Sequence, residues 1–214
     1  MGSCLERLRL TEGRGTGNVD HVGQLSFYSA ETEQPAYDDL AGLLAAHGQS
    51  ARSDSGTRVS IVVPARWRAE HIVEEMTAAG LTAESATSDE GTPLARTAAC
   101  PELDALHRAW TSGAVKAVPA GWTPTPRVLR LWVLAAGRPE GDRYLLGLDP
   151  YAPDTHSPLA TALMRVGIAP TLVGARSGHP PALRVAGRRR LTRLVEYIGD
   201  PPSAAATADW PTAM

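Results

Sequence analysis

Apolar residues along the chain fall into two rhythms, helix-like stripes at three- and four-residue spacing and short alternating stretches, separated by glycine-rich stops. Leu5, Leu8 and Leu10 predict a short helix halted by Gly13, Gly15 and Gly17, and Gln24 to Tyr28 alternates as a strand. Ala36 to His47 has an amphipathic helical pattern closed by Gly48. Strands follow around Ser50 to Ser53 and Arg58 to Val63, with Ser55-Gly56 as the hairpin turn, then a helix from Arg66 to Ala79 ending at Gly80. Farther on, Thr125 to Ala136 predicts a helix stopped by Gly137. A strand at Tyr144 to Leu148 precedes a helix capped near Asp154 or Thr155. Strands at Thr171 to Val173 and Ala182 to Val185, joined through Ser177-Gly178, lead to a last helix over Arg188 to Ile198.

The same order of elements is met twice. Leu40 to Met76 recurs loosely as Leu159 to Ile198, each with a helix ending in glycine, strand-like residues, a basic turn and an apolar helix. A repeat this long suggests two similar halves about a pseudo-twofold axis rather than a solenoid, with function expected between them. The expected division is a first repeat over residues 1–80, a connecting segment over 81–124 with a helix at Glu102 to Trp110, a second repeat over 125–200, and a disordered Pro-, Ala- and Thr-rich tail over 201–214.

Composition narrows the picture. With 214 residues, 43% of them hydrophobic, the chain can bury a substantial core. Its net charge of -2 lacks the basic balance of a dedicated nucleic-acid binder. Cys4 and Cys100 form neither a disulfide framework nor a zinc pattern, and a reducing cytoplasm is the expected compartment. No apolar run approaches the roughly 20 residues that span a bilayer, and a monomer needing no membrane is expected. The six histidines show no paired ligand spacing, and no GxSxG elbow places a nucleophile.

The helix at Leu129-Arg130-Leu131-Trp132-Val133-Leu134-Ala135-Ala136-Gly137, an earlier one at Leu5-Glu6-Arg7-Leu8-Arg9-Leu10-Thr11-Glu12-Gly13, and Lys116-Ala117-Val118-Pro119 ahead of the second resemble the single-chain LAGLIDADG homing endonucleases. The resemblance covers roughly Leu5 to Asp200. It implies an α+β fold of two pseudo-twofold-related αββαββα repeats whose antiparallel sheets form a concave DNA-binding face. It also implies two central helices, each ending in an acid-glycine pair, that hold Mg²⁺ for cleavage of both DNA strands.

On that resemblance Glu12 is the expected metal ligand and catalytic acid, with Lys116, the lone lysine, as its basic companion. Ala136 stands where the second acid belongs and supplies no ligand, so two-metal cleavage is expected to be lost, leaving at most single-metal nicking through Glu12. Arg52, Arg58, Arg176 and Arg184 are the candidates for contacts with duplex DNA, against their bland role as solvated edge residues. Two readings follow: a degenerate DNA-binding protein, or the fold reused as a small-molecule enzyme or binding protein. In the second, Tyr28, Tyr144 and Asp149 line a pocket between the repeats.

Overall fold

The structure, a computed structural model, describes residues 29–174 and 180–213. The expected helix at Leu5 to Gly13, the strand at Gln24 to Tyr28 and the turn at Ser177-Gly178 lie outside the described residues.

Two units of like construction follow one another. The first has a 3₁₀ turn, Tyr37–Leu40, running into α1 (Ala41–Ala45), then β1 (Gln49–Ser53), β2 (Gly56–Val62), α2 (Arg66–Ala78), β3 (Ala83–Thr87), β4 (Pro93–Thr97) and α3 (Asp104–Trp110). A small hairpin, β5 (Thr111–Ser112) and β6 (Val115–Lys116), leads to the second unit. There α4 (Pro126–Ala136), β7 (Gly137–Glu140), β8 (Arg143–Gly147), α5 (His156–Arg165), β9 (Thr171–Val173), β10 (Ala182–Ala186) and α6 (Arg188–Ile198) repeat the order. The two four-stranded sheets share one arrangement, β1-β2-β4-β3 and β7-β8-β10-β9, antiparallel throughout.

Alternation sets the faces of each sheet. In β2, Thr57, Val59 and Ile61 are buried beneath the helices, whereas Arg58 and Val62 are exposed on the opposite face. Leu183 and Val185 of β10 are likewise buried, with Arg184 between them on the other side. The turn into β2 requires Gly56, at φ 109°, because a Cβ there would meet the backbone of Cys100 at 2.3 Å.

Helix α4 is the axis of the molecule. Pro126 opens it, and the Thr125 side chain accepts from Val128 N–H as its N-cap. Eight of its eleven residues are buried, among them Leu129, Leu131, Trp132 and Leu134. Its two remaining arginines clamp the surrounding helices. Arg127 ion-pairs Asp39 and Glu75, and Arg130 pairs Glu75 while donating to the Ile198 carbonyl at 2.6 Å. Burial pushes the Asp39 carboxyl up, with the Ala36 amide and Arg127 pulling against it.

Three sequence expectations change. Among the described residues the first unit extends through α3 to Trp110, so the segment expected to connect the repeats holds β3, β4 and α3. Leu40 to Gly48 corresponds by sheet position to Leu129 to Gly137, not to Leu159 to Gly167, which is the flanking helix α5. The expected disordered tail contains a 3₁₀ helix, Ala204–Asp209, followed by a buried Trp210 whose Nε1 donates to the Gly199 carbonyl at 2.9 Å. Its Pro-Ala-Thr composition hid the anchor, because a single tryptophan buries enough apolar surface to hold a short segment.

Candidate functional site

The two axial helices meet through Gly42. A Cβ there would stand 2.2 Å from the Val128 carbonyl oxygen and 2.9 Å from Leu131 Cβ, so hydrogen is the only side chain that lets α1 approach α4 this closely. The two segments leave this contact at Gly48 and Gly137. The residues before those glycines are His47 and Ala136, and both line one cavity of 680 Å³ between the units. The first motif helix is therefore Leu40-Ala41-Gly42-Leu43-Leu44-Ala45-Ala46-His47-Gly48 rather than Leu5 to Gly13. Its signal was present in the chain: Leu40-Ala41-Gly42-Leu43 spells the first four letters of the motif that names the family.

The walls of the cavity are tied down from both units. His47 Nε2 lies 2.7 Å from the Val62 carbonyl and donates to it. Arg68 of α2, 3% exposed, reaches the end of α4 and donates to the carbonyls of Val133, Leu134 and Gly137 at 2.8–3.0 Å. Its guanidinium also pairs with Asp209 at 3.1 Å and lies over the Trp67 ring. A helix C-terminus leaves its last carbonyls without partners and carries partial negative charge, so a buried guanidinium is well placed to satisfy both.

Lys116 and Asp149, proposed from sequence for different readings, are brought together. Lys116 Nζ is 2.8 Å from Asp149 Oδ2 and donates to the Ala46 carbonyl at 3.1 Å, beside the end of α1. Gln49 Nε2 and the Tyr151 amide add donors to the same carboxylate at 3.0 Å each. Burial opposes ionisation of Asp149, but the Lys116 ammonium and these donors outweigh it and hold the carboxyl below its ordinary range. Burial pulls Lys116 downward against the pull of Asp149. Both side chains are under a tenth exposed. The lysine thus joins the connecting hairpin to both units.

The chemistry of the cavity does not suit a divalent metal. Of the two motif ends one is an alanine and the other a histidine engaged by a carbonyl, the carboxylate of Asp149 is taken by an ammonium, and Arg68 brings a fixed positive charge to the end of α4. Among the described residues no group of three His, Cys, Asp or Glu side chains could hold a metal ion. Glu12, the expected ligand, lies outside the described residues.

The other expected residues divide. Arg58 is exposed on the sheet face away from the helices. Arg52 instead turns to the helix side and stands 3.6 Å from Asp104 of α3, because its strand position opposite Thr57 points it that way. Arg184 is on the outer face but bound by Glu140 at 2.6 Å. Arg176 and Tyr28 lie outside the described residues. Tyr144 is in the core and lines no part of the cavity, its hydroxyl donating to the Asp209 carbonyl at 2.7 Å and its phenol pushed upward by burial. Sequence reading missed His47, Arg68 and Arg138, of which Arg138 lines the cavity with no ion-pair partner among the described residues. The Arg188-Arg189-Arg190 run begins α6, and Arg188 and Arg189 border a separate hollow with Arg165.

No protein-family model and no curated protein matches the chain. Solved structures do. Two antiparallel sheets in identical order about two packed axial helices define the LAGLIDADG homing-endonuclease-like fold, and the chain has it. In particular it is similar to the homing endonuclease I-WcaI bound to its DNA recognition sequence, at TM-score 0.56 and 12% identity over 86% of this chain and 90% of that one. The N-terminal LAGLIDADG domain of DUF199/WhiA aligns at TM-score 0.51 and 14% identity, covering 78% and 83%. The full-length DUF199/WhiA from Thermatoga maritima aligns at 0.55 and 14%, covering 78% of this chain and 55% of that one.

Proposed function

We propose that the chain docks duplex DNA along the open faces of its two sheets and does not cleave it. One observation carries the second half of this reading: His47 and Ala136 stand before the glycines at which the chain leaves the axial contact, with the Arg68 guanidinium seated at the end of α4 where a metal would need carboxylates. Without two carboxylate-held metals, neither the attacking water nor the leaving oxygen of a phosphodiester has its electrostatic support.

Support for docking comes from the fold, shared with a nuclease solved on DNA, and from arginines on the open faces of the strands. Arg58, Arg96, Arg138, Arg143 and Arg184 occupy β2, β4, β7, β8 and β10. Three are compensated, Arg96 by Glu84 at 2.8 Å, Arg143 by Asp142 at 3.5 Å and Arg184 by Glu140. Arg58 and Arg138 have no ion-pair partner among the described residues, and they provide the phosphate-binding charge. Binding should therefore be weak and lean on these two.

In gel shifts with a random-sequence duplex at low salt, the Arg58→Ala/Arg138→Ala variant is expected to bind about tenfold or more weakly than the native chain. Unchanged affinity would remove the sheet faces from the account.

A further inference from the structure

The central cavity offers more than a lost metal site. Its 680 Å³ falls within the roughly 300–1,000 Å³ that small-molecule sites occupy. Much of its wall is apolar, with Pro64, Ala65, Ala136, Leu148 and Pro150 contributed by both units. Among the described residues its charges are unequal: Arg68, Arg138 and the adjoining Lys116 stand against Asp149 and Asp209, and three cations against two carboxylates leave one positive charge. That surplus resides on Arg138, since Arg68 is paired with Asp209 and Lys116 with Asp149. Arg68 is also unfinished. Its Nε, buried in a side chain only 4% exposed, has no hydrogen-bond partner among the described residues, although four other hydrogen bonds of the guanidinium are made. A buried donor left unpaired is costly.

We propose that this cavity binds a small organic monoanion with an apolar, ring-sized body, the anionic group held by Arg138 and the body packed on the proline and alanine walls. A dianion would exceed the single free charge, and a neutral molecule would leave it unmet. The site shares Arg138 with the proposed docking face, whereas Arg58 on β2 belongs to docking alone and lines no part of the cavity.

Two fluorescent probes with similar ring bodies separate charge from apolarity: 8-anilinonaphthalene-1-sulfonate, a monoanion, and the neutral N-phenyl-1-naphthylamine. The native chain, folded and free of DNA, is expected to bind the sulfonate at least tenfold more tightly than the neutral amine. Arg138→Gln should erase that preference by weakening the sulfonate alone, and Ala136→Phe, which fills the cavity, should displace both probes. Arg58→Ala should leave both affinities unchanged while weakening duplex binding, so that failure of one proposal is distinguishable from failure of the other. Equal affinity for the two probes in the native chain, or a sulfonate affinity unmoved by Arg138→Gln, would overturn the proposal even if Ala136→Phe failed to fold.

Discussion

Asp149 and Lys116 illustrate how a single buried pair fixes the centre of this molecule. Each comes from a different segment, and the pair is seated against the end of α1 through Lys116 and the Ala46 carbonyl. Lys116→Met would leave the Asp149 carboxylate buried without its ammonium, and such broken pairs cost about 3–5 kcal/mol. Urea unfolding of Lys116→Met, Asp149→Asn and the double variant is expected to show strong coupling, the double variant being less destabilised than the two single losses together. The pH dependence has a definite sign. Asp149 is held below the ordinary carboxyl value of about 3.9, so its stabilisation is full above that pH and is lost as pH falls through the lower folded value. Asp149→Asn should flatten this part of the acid unfolding curve; a curve identical to that of the native chain would contradict the assignment. The sequence singled out both residues, Lys116 through its place before the second motif helix and Asp149 as a pocket acid, but their pairing spans 33 positions and belongs to tertiary structure.

Among the elements, α1 and α4 are decisive, and their contact depends on one missing Cβ. Gly42→Ala should raise helical propensity locally and still destabilise the protein, by about 1–3 kcal/mol, because the new methyl collides with backbone and not with a yielding side chain. Thermal unfolding decides the sign, and a stabilised variant would refute the close approach. Helix α6 carries the opposite kind of defect. Arg188, Arg189 and Arg190 occupy its first turn, where the helix dipole disfavours cations, with no acid there. Arg189→Glu on this exposed turn is expected to stabilise by about 0.3–1 kcal/mol, read as a higher melting temperature at low salt.

Helix positions were legible because apolar stripes and glycine stops are local, and α6 spans the predicted Arg188 to Ile198. Which helix is axial was less legible. α1 and α5 both end an apolar stripe at glycine, so that pattern matched Leu40 to Gly48 with Leu159 to Gly167; the mid-helix glycine at Gly42, fitted to a close crossing, is what separates them.

For the molecule as a whole, the fold was readable from element order, whereas the chemistry at its centre was not. Placing the first motif at Glu12 left one acid in place; the structure puts His47 opposite Ala136, and the cavity there holds fixed cations. Arg68 could not have been found from sequence, since its three carbonyl partners lie 65–69 positions away. The account therefore rests on a duplex-binding surface joined to a silent centre. The direct measurement is a gel shift of a labelled random-sequence duplex in Mg²⁺ across a salt series, with the recovered DNA run under denaturing conditions. The account predicts intact strands and an affinity falling with the logarithm of salt at a slope of about -2, the value for two phosphates held by Arg58 and Arg138. Nicked or cleaved strands, or no shift even at the lowest salt, would contradict it.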